Sequence, residues 1–506
     1  MENDCLKKND AVLPETADDD VEKRKKKPPK AHRKKHIKDE KKLNAGWSIA
    51  ILALTAVLSS TGLVFFMSGS GQHVVSIVGA VMALLMAFVT FGCYLMLRHR
   101  EVASSMRKML FISAMLIIIE VLTPVTMSIN IGFAPPLLAV LMIAIMVSEE
   151  TAMVACLPLS VTAGVYANAV YWAGTDPLAI SVGIAVSGVM AVFALSMRKT
   201  RSSTVIASSI AGIAGVLSYA FVMMAGGEIF NTYVLNLVWL MGSCLLCGIL
   251  TVGLMPIFEA AFDIASEARL NELLNNDNPL LKRLINEAPG TYHHSMLVAS
   301  LGDAAAQAVG ANALLVRVSA FYHDVGKLRC PSCFKENQKG TNMHDELDPY
   351  ESAKRIIAHQ ADGAAMLEKA KFPRDVIRIV GRHHGDSVMV YFYDKAKKQA
   401  GGEYEVDESL FRYPSVKPNT KEGAILMLAD CCEAAVRSMN TTDMTEISNK
   451  IKEVITHKWD KRDSMLWDSP LTFAEIKRIE KSFCDTFDAL NHERVEYPDL
   501  EEINVR

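Results

Sequence analysis

Apolar runs at 47–67, 74–97, 108–127, 133–148, 152–173, 176–197, 204–225 and 232–256 constrain this chain most. A hydrocarbon core of about 30 Å needs about 20 helical residues, and most of these runs are long enough. The fourth is short, carries Pro135–Pro136, and is separated from the fifth only by Ser148-Glu149-Glu150-Thr151. The pattern predicts a polytopic helical membrane domain over 47–262 with about eight helices.

Loop charges orient it. Arg98, Arg100, Arg107 and Lys108 follow the second run, and Arg198, Lys199 and Arg201 follow the sixth. The loops 68–73, 128–132, 174–175 and 226–231 contain no Lys or Arg. Basic loops stay in the cytoplasm, so both termini are expected there and the number of spans is expected to be even. Glu120 is the main charge within a span, read either as functional or as lying near an interface. No row of polar residues marks an ion path, which disfavours a transporter.

Residues 1–46 read as a disordered basic tail, with twelve Lys or Arg in 23–42 and a Pro-Pro break. Such a tail fits anionic lipid beside a span better than nucleic acid. No cleavable signal peptide is expected, because the chain opens polar. Ten cysteines are scattered without a dense spacing framework, which fits a reducing compartment or membrane-buried thiols.

From 263 onward the composition turns soluble. Linker helices are expected over 263–288, broken at Asn278-Pro279. A helical domain follows over 289–495 and a tail over 496–506. The fold class is therefore all-α: a membrane domain, then a cytoplasmic helical domain.

Seven of the thirteen histidines lie between 293 and 384. A lone histidine is usually a surface or singly satisfied group, but the contexts here argue otherwise. His294 follows APGTYH. His323-Asp324 follow an apolar run, His359 ends RIIAH, His383-His384 follow DVIRIVGR, and Asp430 ends GAILMLAD. Five apolar helices thus each bring an imidazole or a carboxylate toward a core. Such groups are costly to bury unless paired or metal-bound. Mixed imidazole and carboxylate favour Mn, Fe or Zn. The surplus over one tetrahedral ion points to a two-metal site for phosphoryl displacement, with Gly326 and Lys327 where a phosphate would approach.

The stretches NPLLKRLINEAPGTYHHS, FYHDVGK, LDPYESA, HQADG, HHGDS, YFYDKA, FRYPSVKP and AILMLADCCEAAVRS cover about 270–440 almost continuously. This pattern resembles the HD phosphohydrolase superfamily, and within it the seven-transmembrane HD family of PgpH-type cyclic di-AMP phosphodiesterases. The resemblance implies metal ligands at His294, His323, Asp324, His359, His383, His384 and Asp430, with Asp324 bridging two Mn or Fe ions. It implies hydrolysis of cyclic di-AMP to the linear pApA by a metal-bridging hydroxide. It also implies a bacterial cytoplasmic (inner) membrane location. Lys327 is expected as a phosphate contact, and Tyr391 and Tyr393 as stacking groups for an adenine. The expected partners are a cyclic dinucleotide and the lipid bilayer, without nucleic acid; homo-oligomerisation stays open.

Two features depart from the family. Its members usually carry a large extracellular domain between the first two spans, where this chain has SGSGQH. CPSC at 330–333 stands where the family usually lacks cysteine; it suits redox chemistry or a third metal, but without a thioredoxin-like context it reads as a chance substitution. No GYP follows His383-His384, which disfavours the cyclic di-GMP subclass. The rival readings are an HD hydrolase for another nucleotide, such as an alarmone or a dNTP, a nucleotide-sensing receptor without catalysis, and an HD-fold di-iron oxygenase.

Overall fold

The computed structural model describes residues 30–170, 176–197, 201–338, 340, 342–401, 405–439, 441–459 and 465–491. Helices dominate, and no strand occurs among the described residues. The chain divides into two compact units, 1–197 with 204–253, and 198–203 with 254–506.

The membrane unit is built on α1 (Lys30–Gly69), α2 (Val74–Arg98), α3 (Met106–Met127), α4 (Pro136–Met146), α5 (Glu149–Val170), α6 (Asp176–Met197), α7 (Arg201–Ala225) and α8 (Phe230–Phe262), which continues into the second unit. Side chains such as Phe65, Val75 and Phe221 are largely exposed, as lipid-facing groups of a membrane protein are. Two expectations are corrected here. Residues 30–46 are helical rather than disordered, because Lys, Arg, Glu and Ala favour helix and extend a span that is already nucleated. Residues 1–29 lie outside the described residues. Among the described residues seven helices, not eight, are long and apolar enough to cross a membrane. The fourth run gives α4, whose 11 residues rise only about 16 Å.

Proline explains where α4 starts: Pro136 lacks an N–H and sits in its first turn. The preceding segment is buried yet not helical, which a membrane tolerates only inside protein. Its polar groups are accordingly satisfied. Gly132 N–H donates to Asn130 Oδ1 at 2.8 Å, and Ser243 Oγ donates to the Ala134 carbonyl at 2.7 Å. Asn130 Nδ2 donates to Asn236 Oδ1 at 3.0 Å, and Asn236 Nδ2 donates to the Tyr219 hydroxyl at 3.1 Å. Tyr219 in turn donates to Asp176. A Cβ on Gly132 would lie 2.1 Å from the Asn236 carbonyl oxygen, so only glycine fits against α8.

The second unit contains α9 (Glu267–Leu273), α10 (Pro279–Glu287), α11 (Pro289–Val309), α12 (Ala313–Tyr322), α13 (Pro349–Lys369), α14 (Arg374–Val380), α15 (Val390–Ala400), α16 (Lys421–Met439), α17 (Met444–Trp459) and α18 (Phe473–Asn491). Their starts are chemically marked. Asn278 Oδ1 caps α10 through Leu280 N–H at 3.0 Å, with Pro279 at the first position. Asn312 Oδ1 caps α12 through Leu315 N–H at 3.0 Å. The main core joins α11, α12, α16, α17 and α18 through Val298, Leu301, Val316, Leu428, Ile451 and Phe483. A second core joins α9, α10, α12 and α14 through Leu270, Leu284, Tyr322 and Val376.

Candidate metal centre

α11 carries His294, the end of α12 leads into His323 and Asp324, and α13 carries His359. The turn after α14 carries His383 and His384, and α16 carries Asp430. All seven meet in two groups. Asp324, His359, His383 and His384 form one, and His294, His323 and Asp430 the other; in each, ligand atoms lie within 4.8 Å of one another. Asp324 faces both groups. Its Oδ1 is 3.3 Å from His359 Nε2 and 3.9 Å from His383 Nε2. Its Oδ2 is 3.3 Å from His323 Nε2 and 3.8 Å from His294 Nε2. Asp430 Oδ1 is 3.1 Å from His294 Nε2, and its Oδ2 is 3.8 Å from His384 Nδ1. His293 is exposed.

The rings are oriented from behind. Nδ1–H of His323, His359 and His383 meets the carbonyls of Ala320, Ile356 and Val380 at 2.7, 2.5 and 2.6 Å. Each is the carbonyl three residues earlier; those of Ala320 and Val380 lie in the last turn of a helix, where carbonyls are left free, whereas Ile356 lies inside α13 and shares its carbonyl with the helix. That bond puts the lone pair on Nε2, toward the cluster. His294 Nδ1 instead meets Glu433 Oε2 at 2.5 Å. The buried Nε2 of His323 has no hydrogen-bond partner. An orphaned imidazole nitrogen beside two carboxylates is what an absent cation leaves, so these residues fit a divalent metal.

Electrostatics agree with that fit. Burial works to lower the His323 pKa, but Asp324 and Asp430 outweigh it and raise it to about 10. Burial, then the neighbouring His323 and His359, push His383 down to about 3. Burial would raise Asp324, yet His323 and Lys327 hold it well below the carboxylate range. The two carboxylates thus draw positive charge toward the imidazoles between them. A divalent cation held by the same groups would supply that positive charge.

Lys327 Nζ lies 2.8 Å from Asp324 Oδ2 and 2.6 Å from Glu336 Oε1, and 4.8 Å above the Phe334 ring. Gly326 is not open to a phosphate, as the sequence reading had it. A Cβ there would lie 1.9 Å from the His359 carbonyl oxygen and 2.6 Å from Gly363 N. Glycine is required because the backbone after Asp324 packs directly on α13. Tyr391 is 67% exposed, and Tyr393 packs on Phe411 with ring centroids 5.6 Å apart. Neither ring contacts a cluster histidine among the described residues. Tyr413 does, with its ring 4.4 Å from His384.

Sequence reasoning missed Tyr413, Glu433, Glu336 and Phe334. Only Glu433 left a signal, being three residues after Asp430 on one helix and so on the same face.

Residues 74–266 match the family described as 7TM receptor with intracellular HD hydrolase, and residues 291–435 match the HD domain. Both regions thus resemble seven-transmembrane proteins that carry an HD hydrolase domain. It is similar to the cyclic-di-AMP phosphodiesterase PgpH of Bacillus subtilis (strain 168), at 37% identity over 374 residues, 73% of this chain and 52% of that protein. The protein of the same name from Listeria monocytogenes serotype 1/2a (strain 10403S) is 36% identical over 378 residues, 73% of this chain and 51% of that one. The chain spans about half the length of these curated relatives. A crystal structure of the L. monocytogenes PgpH HD domain with cyclic-di-AMP is 42% identical, covering 44% of this chain and 100% of that one, with a TM-score of 0.41.

Proposed function

We propose that this chain is a membrane-anchored, metal-dependent phosphodiesterase that opens cyclic di-AMP to linear pApA. The observation that carries this reading is the bridging position of Asp324, with one oxygen toward each of two ligand groups. The names of the curated relatives supply the substrate. Two divalent ions, Mn or Fe, are held by His294, His323, Asp324, His359, His383, His384 and Asp430. When bound, they supply Lewis acidity and lower the pKa of a water between them.

The chain's own residues position and shield. The Nδ1 bonds fix each imidazole, and Tyr413 closes the His384 side. Lys327 uses two of its three N–H donors on Asp324 and Glu336, which leaves the third for a phosphate oxygen. Tyr391 and Tyr393 stand as proposed adenine contacts at the outer surface.

The protein lies in the bacterial cytoplasmic membrane with both termini and the HD domain in the cytoplasm, its basic tail on anionic lipid.

The test is hydrolysis by the purified full chain, loaded with Mn and offered cyclic di-AMP, cyclic di-GMP and a guanosine tetraphosphate alarmone, with Asp324→Ala as control. Selective cleavage of cyclic di-AMP, lost in the control, is expected. Metal binding without cleavage would overturn the reading in favour of a nucleotide sensor; cleavage of the alarmone instead would move the substrate.

A further inference from the structure

The segment directly after the metal-facing His323-Asp324 pair closes on itself. Cys330 and Cys333 form a disulfide, with Cα atoms 5.4 Å apart. The sequence alone reads this CPSC as a chance substitution; the structure adds the bond between its two sulfurs. Cys333 N–H donates to the Cys330 carbonyl at 3.0 Å, and Phe334 N–H to Pro331 at 3.1 Å, so the ring sets the direction in which the chain leaves it. What leaves it supports the metal centre at three points. Phe334 lies under Lys327 and edge-on to His359, centroids 5.7 Å apart. Glu336 Oε1 holds Lys327 Nζ at 2.6 Å and accepts from Thr291 Oγ1 at 3.2 Å. Asn337 Oδ1 accepts from Gly290 N–H at 3.0 Å and Thr291 N–H at 3.2 Å, at the start of the helix that carries His294.

We propose that Cys330–Cys333 is a reversible dithiol–disulfide site that sets the position of Lys327, and through it the rate at the metal centre. The effect on rate rests on the phosphodiesterase reading above. Disulfides in reducing compartments are generally transient, catalytic or redox-sensing. Cys330 is partly exposed and Cys333 is buried, so one sulfur is open to attack. A thiolate of an external dithiol attacks Cys330 Sγ. A bond forms between those two sulfurs, the Cys330–Cys333 bond breaks, and Cys333 leaves as thiolate. The reductant's second thiolate then attacks its own sulfur in the mixed disulfide and expels the Cys330 thiolate. Two electrons pass from the dithiol, now a disulfide, to the cysteine pair, and the two protons lost by the dithiol end on the two cysteines.

A metal reading of the same pair fits less well. His344 Nε2 meets the Cys333 carbonyl at 2.8 Å, while its buried Nδ1 has no hydrogen-bond partner. Among the described residues no cysteine joins a ligand group of three.

The experiment uses the purified full chain, equilibrated in mixtures of reduced and oxidised dithiothreitol that are then removed. Maleimide trapping counts thiols on the 330–333 peptide. Acylation of Lys327 by an amine-reactive ester, read on the same peptide map, reports its position without reference to catalysis. Cyclic di-AMP hydrolysis with Mn is the third readout. Reversible gain of two thiols is expected. Lys327 acylation should rise about threefold or more on reduction, and kcat should fall by about threefold or more, since small misplacements at a reacting centre are costly. Cys330→Ser with Cys333→Ser should stay at the reduced values whatever the reagent. A pair that does not cycle, thiolates that hold stoichiometric zinc, or Lys327 reactivity equal in both states would each overturn the proposal. Cycling with a Lys327 change but no hydrolysis in either state would instead overturn the phosphodiesterase reading and the rate effect built on it, leaving the Lys327 switch itself standing.

Discussion

Glu433 fixes how His294 is presented. It is buried on α16 one turn beyond Asp430, and its carboxylate is the only non-backbone group behind a cluster imidazole among the described residues. Partners of this kind typically carry tenfold to a hundredfold in metal affinity, about 1–3 kcal/mol. Glu433→Ala should therefore weaken Mn binding by about tenfold or more in a chelator competition titration; unchanged affinity would remove the residue from the centre. Gly326 acts by the opposite means, through having no side chain. Gly326→Ala places a methyl within 1.9 Å of the His359 carbonyl oxygen, so α13 must move and carry His359 with it. Loss of stoichiometric Mn with helicity retained is the expected result, read by metal analysis beside circular dichroism. The seven side chains that converge were legible because each lies on or beside an apolar helical stretch, where an imidazole or carboxylate needs a reason. Tyr413 was not legible, because FRYPSVKP has no period from which to read a face. Tyr391 and Tyr393 attracted attention through composition alone, and composition does not say which ring turns inward.

At the scale of elements, α18 shows how a local signature decides a start. Thr472 N–H and Oγ1 both reach Glu475 Oε2 at 2.8 Å, and Glu475 N–H returns to Thr472 Oγ1 at 3.3 Å. This is a reciprocal capping box. Lys421 Nζ adds an ion pair at 2.5 Å, tying α18 to the start of α16. Burial would raise the Glu475 carboxyl, but Lys421 and Thr472 outweigh it and hold it at about 2 against an ordinary 4.5. A depressed carboxylate stabilises the folded state above the unfolded-state value and loses that contribution as pH falls. The stabilisation should thus be full above about pH 5 and decline between about 4.5 and 2. Glu475→Ala should cost about 1 kcal/mol at pH 7 in urea denaturation and much less near pH 2; an equal cost at both would show that the carboxylate charge is not involved. Such boxes are readable in sequence, as were the Asn278-Pro279 break and most membrane helices, because each rests on near-neighbour chemistry. That the short fourth run gives only the 11 residues of α4 was less readable. Its run is apolar throughout 133–148, and only burial of 130–135 against α8 shows that part of it need not be helical. The helical start of α1 was hidden for a related reason: a run of lysines looks disordered until a span has nucleated the helix it continues.

At the scale of the molecule, the seven proposed ligands all lie in one of the two compact units. His323, His383 and Asp324 are almost wholly buried there, so the folded unit confines two carboxylates and five imidazoles in one place. A cation binds that arrangement only when it is folded, because the ligands come from five separate helices. Binding to the folded state alone stabilises by RT ln(1 + [L]/Kd), about 2.7 kcal/mol at a free metal concentration of one hundred times Kd. For a unit of this size that corresponds to a rise in Tm of roughly 5–10 °C. The membrane unit contains no such cluster among its described residues, so its unfolding has no metal term. Calorimetry of the full chain in detergent should show one transition that falls when Mn is exchanged for a chelator and another that does not respond. Asp324→Ala should abolish the response while leaving both transitions present. Equal movement of both transitions would mean that the metal acts outside the cluster. No movement with Mn bound would mean that the ion binds folded and unfolded chains alike, which the convergence of five helices forbids.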